Sequence, residues 1–84
     1  MDKRNDWGEL VRTARNRLGL TQEQIAARLG VTFASVNRWE NGRVTPSRLA
    51  LRQIENLVRS MAAEGQDLAQ DYFDQDESKR DGRI

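Results

Sequence analysis

Residues 18–42 read "LGLTQEQIAARLGVTFASVNRWENG", two short apolar-periodic segments either side of one Gly-Val-Thr. In the first, Thr21 and Gln24 have capping-box spacing, and Leu20 and Ile25 that of a hydrophobic staple. Ile25, Ala26 and Leu29 share a helical face, and Gly30 suits the left-handed residue that ends a helix. In the second, Thr32 is the cap and Val31 with Val36 repeats the staple. Val36 and Trp39 form its inward side, and Gly42 closes it. A helix that stops after about two turns buries little surface by itself. Its brevity therefore needs a reason other than core building.

Outward from this stretch, "DWGEL" begins helix 1, with Asp6 as cap and Glu9 at the return position of a capping box. Trp7, Leu10, Val11, Ala14 and Leu18 make one apolar stripe, and Gly19 ends it. On the other side Pro46 suits the first turn of helix 4, with Thr45 or Ser47 as its cap. The stretch "SRLALRQIENLVRSMAA" contains no Gly or Pro, so this helix reads as long, up to 17 residues and roughly 25 Å. Its apolar face (Ala50, Leu51, Ile54, Leu57, Val58, Met61) is broad enough to leave Val58 and Met61 for a partner helix. The competing occupant is the Leu68, Tyr72 and Phe73 cluster of the chain's own tail. The final ten residues have a disordered composition. The expected fold is all-α, a bundle of four to five helices with a long fourth helix and an acidic C-terminal tail. The body spans residues 1–63 and the tail 64–84.

With 84 residues the chain suits one small domain. Without Cys or His, disulfides, ordinary zinc sites and catalysis by either residue are excluded. There is no phosphate-cradling glycine loop, and no cofactor, metal site or catalytic residue is expected. The absence of a signal peptide or long apolar run reads as a cytoplasmic protein that meets no membrane. The formal charge of +1 hides an asymmetry: residues 1–63 carry eleven Lys/Arg against six acids, the remainder three against seven. A basic body suggests a polyanion partner. Twelve arginines against two lysines favour forked contacts to phosphate or guanine, although a GC-rich genome produces the same bias.

Two helices joined by a short glycine-containing turn form a helix-turn-helix, whose second helix stands proud enough to enter the DNA major groove. That groove is about 12 Å wide and admits one helix, so the reading helix must be short. If Val36 and Trp39 face inward, positions 33, 34, 37, 38 and 41 face outward.

At these residues the chain resembles the phage-repressor-like (XRE) helix-turn-helix family, from about Leu10 to Leu57. The match comprises "LGLTQEQIAARLGV", then "VNRWENG", then a Pro-initiated fourth helix. The resemblance implies a lambda-repressor-like bundle, double-stranded DNA as partner and a homodimer. It implies that Gln22 bonds a phosphate and braces the reading helix, where the plain alternative is an ordinary polar residue. It implies that Arg15 and Glu40 tie helix 1 to the end of helix 3. It places Thr32, Phe33, Ala34, Asn37, Arg38 and Asn41 toward the groove, with Ser35 at the margin, and Arg43 and Thr45 on the DNA backbone. Arg38 matches guanine O6 and N7, and Asn37 suits adenine or phosphate. For Arg38 and Arg43 the plain alternative is a solvated charge. Phe33 departs from the polar reader common in relatives and cannot accept a brace from Gln22. It is left to touch a base or to pack on protein.

The expected function is a sequence-specific DNA-binding transcriptional regulator, most simply a repressor, reading the groove with helix 33–41. The alternative is an antitoxin or similar partner-binding module, whose "DLAQDYFDQDE" segment would dock a protein at the C-terminal tail. A restriction–modification controller and an accessory domain of a DNA-modifying enzyme also fit the length.

Overall fold

Asp6 Oδ1 accepts a hydrogen bond from the Glu9 backbone N–H and so opens α1, Trp7–Leu18. The computed structural model describes residues 6–74. Four more α-helices follow: α2 Gln22–Leu29, α3 Phe33–Glu40, α4 Arg48–Ser60 and α5 Gln66–Tyr72, with a 3₁₀ turn at Ala62–Gly65. No strand occurs among the described residues. The Thr21–Gln24 capping box forms in both directions, satisfying N–H groups that a helix start leaves without partners. At the other end of α2 the chain must reverse within Gly30–Thr32. Gly30 adopts φ 73°, and the Val31 N–H returns to the Ala26 carbonyl at 2.9 Å. A residue with a Cβ would pay for that left-handed conformation.

α3 packs on both α1 and α2, α2 leans on α4, and α5 closes against α4 and α1. One core runs through all five helices, from Leu10, Val11 and Ala14 to Leu68, Ala69 and Tyr72. Leu10, Ile25, Val36 and Val58 are fully buried, and burying such a side chain stabilises by about 1.5–3 kcal/mol. α1 and α3 come close together at Gly8, where an added methyl group would run into the Trp39 carbonyl oxygen.

The fourth helix differs from the sequence expectation in what covers its end. It is the longest element, as expected, and its 13 residues end at Ser60, within the upper limit of 17. Ala62 adopts φ 56°, turning the chain without a glycine to announce the break. Gly65 then lies so close to the end of α4 that a Cβ would meet the Val58 carbonyl oxygen. The turn brings α5 back onto α4, so Val58 and Met61 are buried within this chain and are not left for a partner helix. Trp7 meets Tyr72 and Phe73 at ring-centroid distances of 6.0 and 5.7 Å, sealing the far end of the core. Ser47 caps α4, so Pro46 lies one residue before the cap, outside the first turn, and is itself buried. The expected boundary between residues 63 and 64 falls in the 3₁₀ turn, and the composition-based reading of the last ten residues lies outside the described residues.

Candidate nucleic-acid interface

Thr32 sets the start of α3 by accepting from the Ser35 backbone N–H, and its hydroxyl donates to Ser35 Oγ at 3.0 Å. Val36 and Trp39 then turn into the core. The opposite side therefore carries Phe33, Ala34, Arg38 and Asn41, all exposed, with Asn37 half-buried at its edge. Phe33 is 48% exposed, too open to be a core residue of its own domain. Arg43 and Thr45 are exposed in the loop after α3, and the Arg43 N–H returns to the Arg38 carbonyl at 2.9 Å. Thus Thr32, Phe33, Ala34, Arg38, Asn41, Arg43 and Thr45 are all open to solvent. Gln22, Ser35 and Asn37 are held by neighbouring side chains.

What holds them starts behind α3. Glu40 ends that helix with its side chain only 3% exposed, and Arg15 of α1 grips it with two parallel bonds, Nε to Oε2 at 2.9 Å and Nη2 to Oε1 at 3.0 Å. Arg12, one turn earlier, donates to the Glu40 backbone carbonyl at 2.7 Å and sets its Nε 3.5 Å from Oε1. Gln22 Nε2 adds a bond to Oε1 at 3.1 Å. Burial pushes the Glu40 carboxyl up. The Arg15 and Gln22 hydrogen bonds, with the charges of Arg15 and Arg12, outweigh that and hold its pKa below the ordinary carboxylate value. Hydrogen bonding to Glu40 raises Arg15 in turn. From Gln22 the network continues outward: Asn37 Nδ2 donates to Gln22 Oε1, and Asn41 Nδ2 donates to Asn37 Oδ1, each at 3.1 Å.

The arginines divide into two groups. On the α1, α4 and α5 side they are paired: Arg17 forks onto Asp67, and Arg59 reaches both Glu55 and Asp74. Arg28, Arg38, Arg43, Arg48 and Arg52 form no ion pair among the described residues. Acids of α4, of α5 and just after α5 thus pair the arginines of that side, and among the described residues the unpaired positive charge lies on α2, α3, the following loop and the start of α4. Among the described residues no helix is long and apolar enough to cross a membrane.

The helix-turn-helix family profile matches residues 11–59, from within α1 to the last turn of α4. The chain belongs to the phage-repressor-like (XRE) helix-turn-helix family. Over 68 residues this XRE protein is 38% identical to an uncharacterized HTH-type transcriptional regulator of Methanothermobacter thermautotrophicus, covering 81% of this chain and 90% of that one. Over 76 residues it is 32% identical to an uncharacterized transcriptional regulator in the ATPase CF(0) region of Rhodospirillum rubrum. That alignment covers 90% of this chain and 63% of the relative. No solved structure matches.

Two features of this XRE domain escaped sequence reasoning. The brace from Gln22 reaches Asn37, one turn beyond Phe33, and the i, i+4 spacing of Asn37 and Asn41 was the available signal. Arg12 shares Arg15's face of α1 at i, i+3, which marks it as a second partner for the Glu40 end of α3.

Proposed function

We propose that this protein is a sequence-specific DNA-binding transcriptional regulator that lays α3 in the major groove and acts most simply as a repressor. One observation carries the reading. A helix of eight residues is anchored from behind by Val36 and Trp39, while its outer face and the following loop present Arg38 and Arg43 with no acid partner among the described residues. In this reading Thr32, Phe33, Ala34, Asn37, Arg38 and Asn41 face the groove, with Ser35 at the margin. Gln22, Arg43 and Thr45 meet the phosphate backbone. Arg38 is the guanine reader, since its fork matches O6 and N7. The body, residues 1–63, does the reading, and among the described residues of the acidic segment Asp67 and Asp74 pair with Arg17 and Arg59. The names of the relatives, both transcriptional regulators, support the same assignment.

The working unit in this proposal is a cytoplasmic homodimer spanning half-sites about 34–36 Å apart, one turn of DNA. Its contact must use surface other than Val58 and Met61, which α5 covers. The antitoxin reading loses its main support: Leu68 and Tyr72 are core residues, and Asp67 and Asp74 are engaged by Arg17 and Arg59.

Selection of bound sites from random duplex DNA tests the proposal. The parent should yield one two-fold-symmetric motif. Arg38→Ala should weaken that site by about 1–3 kcal/mol and relax preference at one base pair, whereas Arg43→Ala should weaken all sequences alike. The reading fails if both variants bind the parent's motif as tightly as the parent does.

A further inference from the structure

The hydrogen bonds that join Glu40 to the outer face of α3 all run in one sense, and that sense follows from charge. A carboxylate only accepts, and Glu40 is held ionised by the two-bond grip of Arg15. Gln22 must therefore turn its NH₂ toward Glu40, which leaves its carbonyl oxygen facing Asn37. Asn37 must offer its own NH₂ to that oxygen, so its Oδ1 is the end left to accept from Asn41. Each amide along the relay is thus oriented by the one before it. Asn37 keeps one N–H and one oxygen lone pair outside the relay. Those are the two groups that adenine N7 and N6–H₂ require. Reversing the amide in the same docked pose would set donor against donor at N6 and acceptor against acceptor at N7.

We propose that Gln22 is a specificity-determining positioning residue, which relays the acceptor-only character of buried Glu40 to Asn37 and so decides which end of the Asn37 amide donates at the base edge. The inference rests on the DNA-reading function proposed above. It is distinct from a phosphate contact by Gln22, which would strengthen or weaken every site equally.

Substitutions at Gln22 separate the two roles because they predict opposite orders. Gln22→Lys presents only donors, so it still serves Glu40 but forces Asn37 to turn its oxygen inward, reversing the reader. Gln22→Glu presents only acceptors to Asn37 and keeps the parent orientation. Gln22→Met presents neither and leaves Asn37 unoriented. As a phosphate contact, Lys would raise general affinity and Glu would lower it.

The experiment is selection from random duplexes with the parent and these three variants, with folding checked by circular dichroism. The responsive base pair is the position whose preference disappears in Asn37→Ala. Discrimination for adenine there should stay near the parent's in Gln22→Glu. It should fall about tenfold in Gln22→Lys, with Gln22→Met between, and the remaining positions should be unchanged. If Gln22→Glu does not fold, the contrast between Gln22→Lys and Gln22→Met carries the test. Preference unchanged in Gln22→Lys, or no responsive position in Asn37→Ala, overturns the relay while leaving DNA reading intact. A parent that selects no motif overturns the reading itself and the relay with it.

Discussion

Arg15 and Glu40 show how much one residue pair can hold. Glu40 ends α3, and the guanidinium of Arg15 reaches it from α1, so the pair fastens the reading helix to the body. Removing one partner of a buried ion pair costs more than the pair contributes, because a charge is left behind. Arg15→Ala should therefore destabilise the fold by about 3 kcal/mol in urea titrations, the lower end of the roughly 3–5 kcal/mol such a loss costs, because Arg12 and Gln22 still face Glu40. A variant with an unchanged midpoint would remove the pair from the account. The pH dependence has a definite sign. Glu40 and Asp67 both have folded pKa values below the ordinary range: at Glu40 the hydrogen bonds overcome burial, and at Asp67 the Arg17 fork dominates. As pH falls, the unfolded chain takes up these protons first. Their stabilisation is complete above about pH 4.3 and is lost as pH drops through the folded values. The melting temperature should decline below that point, and the decline should be shallower in Glu40→Gln.

At the scale of elements, the end of α4 is decided by a residue with no obvious talent for it. Ala62 takes a left-handed conformation that costs an L-residue about 1–2 kcal/mol. It is held there because the turn lets α5 bury Leu68, Ala69 and Tyr72. Ala62 is exposed, so replacing it removes no core contact. Ala62→Gly should stabilise by about 0.5–1 kcal/mol, a rise of a few degrees in melting temperature. A lower melting temperature would show that the turn relies on the alanine methyl. α5 has its own spectroscopic report. Burial, followed by the nearby charges of Glu9, Asp6 and Asp71, pushes the Tyr72 hydroxyl up to about 12. This is the chain's single tyrosine, so its absorbance should report ionisation near that value in the folded state and near 10 once α5 is released.

On the whole molecule, charge separates into a neutralised side and an open one. Arg17 and Arg59 are matched by acids, whereas among the described residues Arg38 and Arg43 are not. Counterion release depends only on cations that meet phosphate. Arg43→Ala should therefore reduce the slope of log affinity against log salt by about one, and Arg17→Ala should leave it unchanged. Equal slopes for the two variants would mean that the open side is not the DNA-facing side.

Thr21, Gln24, Thr32 and the Gly30 turn act within a few residues of themselves, and so the amino-acid sequence determined α1, α2 and α3 and the inward side of each. The outer face of α3 followed from the same periodicity, because what does not point inward must point out. Only the tertiary structure decided where α4 stops, since Ala62 and Gly65 work through contacts made when the chain returns onto Val58. It also decided that Gln22 braces Asn37 in place of Phe33. That choice depends on a carboxylate 18 residues away in the chain. Only its last step, Asn37 to Asn41, has a helical spacing to read; Glu40, Gln22 and Asn37 become neighbours only after α2 and α3 have packed.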